Sequence, residues 1–65
     1  MTESERKRII HNIARIQGTK HSYIWIESEK ELGDGKREIT FNQRGIKKGA
    51  LLQGTSVIET WIWVA

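Results

Sequence analysis

The hydrophobic positions of the chain fall into short runs with two different rhythms. Tyr23-Ile24-Trp25-Ile26 alternates two kinds of bulky side chain, and Trp61-Ile62-Trp63-Val64 repeats the arrangement near the C-terminus. A period of two places Ile24 and Ile26 on one face of a strand and Tyr23 and Trp25 on the other. The same rule parts Ile62 and Val64 from Trp61 and Trp63. Ile39-Thr40-Phe41, within residues 39–46, and Leu51 to Ile58, within residues 50–58, supply two further candidate strands. Gly18, Gly33 with Gly35, Gly45, Gly49 and Gly54 punctuate the intervals as turn signals. Asp34-Gly35 is a favoured hairpin dipeptide, although its charged flanks suit a longer loop equally well. Four or five short strands at turn spacing predict an all-β domain, a small barrel or a sandwich.

The N-terminal segment carries the second rhythm. Thr2-Glu3-Ser4-Glu5 has the form of a helix capping box, and Ile9, Ile13 and Ile16 recur at helical spacing. Ile9-Ile10 and Ile13-Ala14-Arg15-Ile16 read equally as extended chain. The expectation is a basic N-terminal arm over residues 1–8, flexible or briefly helical. A first strand over about 9–17 then opens a single domain spanning 9–65.

Composition supports strand. Ten of the 65 residues are Ile and five are aromatic, side chains that suit a pleated, half-buried surface. The length allows one small core, and with no Cys there is neither a disulfide staple nor a thiolate metal site. No apolar run approaches the ~20 residues that span a bilayer, and no signal-peptide pattern opens the sequence. These features predict a cytoplasmic protein with no membrane partner. A large enzyme with a deep cleft is excluded by size.

Charge sharpens the functional reading. Eleven Lys and Arg stand against eight Asp and Glu, a net +3, but the distribution is uneven. Residues 6–20 hold Arg6, Lys7, Arg8, Arg15 and Lys20 with His11 and no acid. Residues 39–58 hold Arg44, Lys47 and Lys48, again without an acid. Glu27, Glu29, Glu31, Asp34 and Glu38 gather between them, among Lys30, Lys36 and Arg37. Cations interleaved with aromatic rings form the footprint of a single-strand nucleic-acid binder, where cations track phosphate and rings stack on bases. For the charge alone, solubilisation of a small domain is the stronger account.

Other chemistry finds no constellation. His11 and His21 have no third ligand at metal-site spacing, so no metal or cofactor is expected. Ser22 and Ser56 lack a His–acid partner, and Glu27 and Glu29, which share a strand face at period two, precede a charged loop rather than a cleft. Gly33-Asp34-Gly35-Lys36 lacks phosphate-loop spacing and reads as a turn. Arg6-Lys7-Arg8 is a disordered tail or a phosphate-touching arm. The expected protein is not an enzyme.

The order of segments resembles the cold-shock domain, a five-stranded barrel of the oligonucleotide/oligosaccharide-binding class. Arg15-Ile16-Gln17-Gly18 stands in the place of its first-strand K-W-F-N. His21-Ser22-Tyr23-Ile24-Trp25-Ile26 aligns without a gap on its first nucleic-acid motif, K-G-F-G-F-I. Glu38-Ile39-Thr40-Phe41-Asn42-Gln43-Arg44-Gly45-Ile46 runs parallel to the second motif, and Lys47-Lys48-Gly49 leads into the fourth strand. The correspondence covers about residues 12–65. Ser22 and Ile24 replace motif glycines, His21 the motif Lys, Ile16 the first-strand Trp, and Thr40 and Asn42 the Phe and His of the second motif. The resemblance implies a five-stranded barrel binding single-stranded RNA or DNA, with Tyr23 and Trp25 stacking on bases. Arg15, Lys20, His21, Asn42 and Gln43 surround them, and the charge pattern adds Arg44 and Lys48. The alternative is a protein-interaction module of the same shape, self-associating through Trp61 and Trp63 on the C-terminal strand.

Overall fold

The computed structural model describes residues 1–64. Helix α1 spans Glu3–Gln17, a single 3₁₀ turn spans His21–Tyr23, and four strands follow: β1 Ile24–Gly33, β2 Lys36–Gln43, β3 Ile46–Gln53 and β4 Ser56–Ile62. The strands form one antiparallel sheet in the order β1-β2-β3-β4. The domain is thus mostly β, but among the described residues it is an open sheet under a helix, with neither a fifth strand nor a closed barrel.

The expected first strand over 9–17 is helix, and the helix runs without a break through the boundary expected at residue 8. Both ends are chemically specified. Thr2 Oγ1 accepts the Glu5 N–H at 3.1 Å. At the far end Gly18 adopts the left-handed conformation, φ 67°. Its N–H bonds to Arg15 O at 3.3 Å and that of Thr19 to Ala14 O at 3.0 Å, which closes the last turn. Between the caps, Ile9 and Ile13 lie four residues apart with Ala14 beside them, and all three are buried. An extended chain would have turned Ile9 and Ile10 to opposite faces, with only one side able to reach the core.

The second correction concerns Leu51 to Ile58, which crosses a turn rather than forming one strand. All three connections are two-residue hairpins. Asp34 (φ 55°) with Gly35 (φ 74°) and Arg44 (φ 53°) with Gly45 (φ 90°) have positive φ at both positions, the twist-matched hairpin geometry. Gly54 (φ 63°) precedes Thr55 in the third. Ala65, the end of the expected domain, lies outside the described residues.

Register divides the sheet into a helix-covered face and an open face. Ile24 and Ile26 pair with Gln43 and Phe41, Ile39 with Ala50, and Arg37 with Leu52. Ile24, Ile26, Ile39, Phe41, Ala50 and Leu52 therefore face α1, forming one buried cluster with Ile9, Ile13 and Ala14, with Ile10 and Val57 at its rim. A bulge between Ile26 and Ser28 shifts β1 by one residue. Without it Glu29 would point to the open face; with it Glu29 turns under the helix. Glu27 and Glu29, placed on one face by simple alternation, are separated by this bulge.

The re-phased Glu29 meets Arg37, the only charged residue in the buried set. Arg37 Nη1 donates to Glu5 Oε1 at 2.8 Å and to Glu29 Oε2 at 2.9 Å, and Nη2 donates to Gly54 O at 2.7 Å. One guanidinium thus joins α1, β1 and the β3–β4 turn to β2. The Arg37 hydrogen bond holds the Glu5 carboxyl below its ordinary value, although desolvation opposes it. Arg37 is held above its own ordinary value, chiefly by the bond to Glu5. Elsewhere Asn12 Nδ2 donates to Thr55 O at 2.7 Å and Gln17 Nε2 to Thr60 Oγ1 at 3.0 Å, which ties the helix to the β4 side.

On the open face Trp61 lies flat over Gly49, its direct cross-strand partner, and a β-carbon at position 49 would collide with the indole. Gly49→Ala is therefore expected to push the Trp61 ring off the sheet, at a cost of about 1–2 kcal/mol. A lowered midpoint in urea and red-shifted tryptophan emission of the folded state would show it; an unchanged spectrum would contradict the packing. Arg37→Ala should destabilise by about 2–3 kcal/mol, at or below the roughly 3–5 kcal/mol of a fully buried pair, because both carboxylates keep some water. Glu5 titrates in the folded state below its unfolded value. Its stabilisation is therefore present above the ordinary carboxylate range and is lost as pH falls through the folded value. Glu5→Gln should flatten the acid limb of the stability–pH curve measured by denaturant unfolding.

Candidate nucleic-acid interface

The capped end of α1, the 3₁₀ turn, the start of β1 and the β2–β3 turn meet along one flank of the domain. The left-handed Gly18 reverses the chain, and Lys20, extended, leads into the 3₁₀ turn, where Tyr23 N–H bonds to Lys20 O at 3.0 Å. This entry delivers Ile24 and Ile26 to the core and leaves Tyr23 and Trp25 outside, 40% and 65% exposed. The division expected from alternation holds, although Tyr23 belongs to the turn rather than to the strand.

Each ring carries a cation. The Arg6 guanidinium carbon lies 5.2 Å from the Trp25 ring centroid, and that of Arg44 lies 4.9 Å from the Tyr23 centroid. Both distances are within cation–π range. His11 of the helix stacks on His21 of the turn, centroids 4.4 Å apart and planes 21° from parallel. Arg44 owes its position to the hairpin: Asn42 Oδ1 accepts the Gly45 N–H at 2.8 Å and fixes the turn. Arg15, in the last turn of α1, and Lys20 are both exposed. Residues 6–26 contain no acid, so these cations have no competing carboxylate within their own segment.

Of the residues expected at the site, Tyr23, Trp25, His21 and Arg44 come together on this flank, with Arg15 and Lys20 on the segments that lead into it. Three have other employment. Lys48 lies on the helix-facing side, where its Nζ donates to Gln17 Oε1 at 2.8 Å and to Gln43 Oε1 at 3.2 Å. Gln43 is therefore committed to Lys48, and Asn42 to the turn, although Asn42 is also the cross-strand neighbour of Trp25. Trp61 and Trp63 sit at the opposite side of the sheet, edge to face at 5.7 Å.

Sequence reasoning missed Arg6 and His11 as ring partners. Helical spacing was the available signal: Arg6 precedes Ile10 by one turn and Ile13 by two, so a helix puts it beside the core. Lys47, the cross-strand neighbour of Asn42 on the open face, was likewise left out of the expected site. Among the described residues there is no enclosed pocket, no group of three or more metal-ligating side chains, and no helix long and apolar enough to cross a membrane. Comparison with known proteins brings no match: no family model fits the chain, and no curated protein or solved structure is found similar to it.

Proposed function

We propose that this protein is a non-catalytic binder of single-stranded nucleic acid, RNA or DNA, acting through the flank built from α1, the 3₁₀ turn and β1. The observation that carries the reading is the pair of exposed rings two residues apart, Tyr23 and Trp25, each beneath an arginine. Two residues of extended chain span roughly 7 Å, which offers two separate stacking positions to a splayed strand. Stacking accepts any base, because every base has a π face.

The guanidinium of Arg6 or Arg44 covers one side of its ring and keeps N–H donors free for a phosphate oxygen. Arg15 and Lys20, both exposed, extend the positive track beyond the rings. This function is the one the cold-shock resemblance implies, supported here by an open sheet and a helix in place of the barrel.

Oligo-dT or oligo-U titrations followed by tryptophan fluorescence test the proposal. If Arg6, Arg15, Lys20 and Arg44 each neutralise a phosphate, the log–log salt slope should be near −3, at about −0.7 per contact. Trp25→Ala and Tyr23→Ala should each weaken binding by about 5- to 100-fold, the loss of one stacked base. Arg44→Ala should reduce the slope by about 0.7. Lys48→Ala, which removes an internally bonded ammonium, should leave the slope unchanged. Absence of quenching at low salt, or full affinity in both ring variants, defeats the reading.

A further inference from the structure

We propose that the uncovered face of the sheet is part of the nucleic-acid site, and that a bound single strand crosses it from Trp25 on β1, over Lys47, to Trp63 just beyond β4. The inference rests on the single-strand binding proposed above and assigns the path that the strand takes. Helix α1 covers one face of the sheet, and among the described residues no other element lies on the second. Register sets one row of side chains across that open face. Trp25 pairs with Asn42, Asn42 pairs with Lys47, and Trp63 N–H bonds to Lys47 O at 3.0 Å. Directly opposed residues of an antiparallel pair share a face, so Trp25, Asn42, Lys47 and Trp63 run from one edge of the sheet to the other.

Trp25 joins this row to the flank. Its register puts it on the open face, yet Arg6 of the helix, which packs on the opposite face, lies 5.2 Å from its ring centroid. The ring therefore stands at the β1 edge, where a strand stacked on Tyr23 and Trp25 turns onto the sheet. At the other end Trp63 is 40% exposed and packs edge to face against Trp61, itself held flat over Gly49. A ring already fixed by its neighbour loses little freedom when a base stacks on it. Three strand spacings of ~4.8 Å separate the two ends, about 14 Å in all. At ~3.4 Å per stacked nucleotide this accommodates about four nucleotides, and fewer where the strand is splayed.

The chemistry of the row selects a polyanion with π faces as the occupant. Lys47 is exposed between the two rings, whereas its neighbour Lys48 is bonded on the helix side. The β2–β3 turn that carries Arg44 closes the sheet at this same end. Asn42 commits its carbonyl to the Gly45 N–H, which leaves the Nδ2 donors for a base edge. The adjacent row of Ser28, Thr40, Gly49 and Trp61 adds two hydroxyls. Neither row contains a carboxylate. Glu38 and Glu59 stand in the third row with Lys30 and Leu51, and Glu27 lies in the bulge at the β1 edge. Positive charge is therefore gathered at the end of the face that continues the flank, as a phosphate backbone requires. An apolar polypeptide surface seated here would instead bury Lys47 without a partner.

The indole N–H signals of the three tryptophans in nitrogen–proton NMR spectra of the full chain test this path. They are assigned with Trp25→Phe, Trp61→Phe and Trp63→Phe and followed on titration with oligo-dT of about 12 nucleotides. The expected result is that Trp25 and Trp63 shift together with one midpoint. Trp63→Ala should weaken binding of the same oligonucleotide by about 5- to 100-fold. As a further phosphate contact Lys47 steepens the log–log salt slope by about 0.7, which Lys47→Ala should remove. If Trp63→Ala does not fold by circular dichroism, Lys47→Ala, the loss of an exposed side chain, decides the matter. A shift of Trp25 with Trp63 unmoved and the slope unchanged in Lys47→Ala overturns the path while leaving the flank as the site. No indole shift at low salt defeats the binding function itself, and the path with it. A Trp63 shift that follows protein concentration without oligonucleotide gives the face to a second copy and overturns the proposal.

Discussion

A single buried guanidinium sets the geometry on which the rest of the molecule depends. The apolar core of Ile9, Ile13, Ala14, Ile24, Ile26, Ile39, Phe41, Ala50 and Leu52 favours burial but is nearly indifferent to how the helix is turned. Directional bonds make that choice. Arg37 holds Glu5 at the start of the helix, Asn12 takes the Thr55 carbonyl at its middle, and Gln17 holds Thr60 and Lys48 at its end. Three polar ties along one helix leave no freedom to roll. They are also the reason Arg6 arrives over Trp25 and His11 over His21.

The β1 bulge shows how function and architecture share residues. It is needed to bring Glu29 under the helix to Arg37, and it also spoils the β1 edge for pairing with another sheet. The strand can therefore carry exposed rings at its beginning without becoming a site of edge-to-edge aggregation. At the far side of the sheet β4 is bulged too, at Ile58, but its exposed side chains are mostly apolar. The exposed rings at the start of β1 and the exposed apolar side chains of β4 are separated by the full width of the sheet.

How much of this was legible in the sequence depended on the range of the interaction concerned. Ile24 and Ile26 against Tyr23 and Trp25 is a matter of local alternation, and it came out as read. Asp34-Gly35 gave the tight turn that its dipeptide favours. Ile9, Ile13 and Ile16 carry a helical signal together with the Thr2 cap, but Ile9-Ile10 and Ile13-Ala14-Arg15-Ile16 read equally as extended chain, and docking of Ile9, Ile13 and Ala14 on the sheet decides for helix. Leu51 to Ile58 reads as one candidate strand although Gly54 within it is a turn signal, and Gly54-Thr55 forms the third hairpin turn. The site suffered accordingly. Gln43 and Lys48 read as surface residues, since nothing in the order of residues announces that Gln17, dozens of residues earlier, will reach Lys48 from above and that Lys48 will in turn hold Gln43. The bulge was likewise invisible, because it follows from the need to bring Glu29 to Arg37 and not from the residues at the bulge itself.

The three two-residue turns have a kinetic consequence. Each strand pairs with the one synthesised just before it, so the sheet needs only short loops to close, and pairing can spread outward from a single hairpin. The helix is the exception. Glu5 is 32 residues from Arg37, and Asn12 is 43 from Thr55. Its docking carries most of the loop-closure entropy, a term that grows only slowly with length. The search that limits the folding rate is thus concentrated in one event, the return of an already capped helix to a meander assembled from its nearest neighbours in the chain.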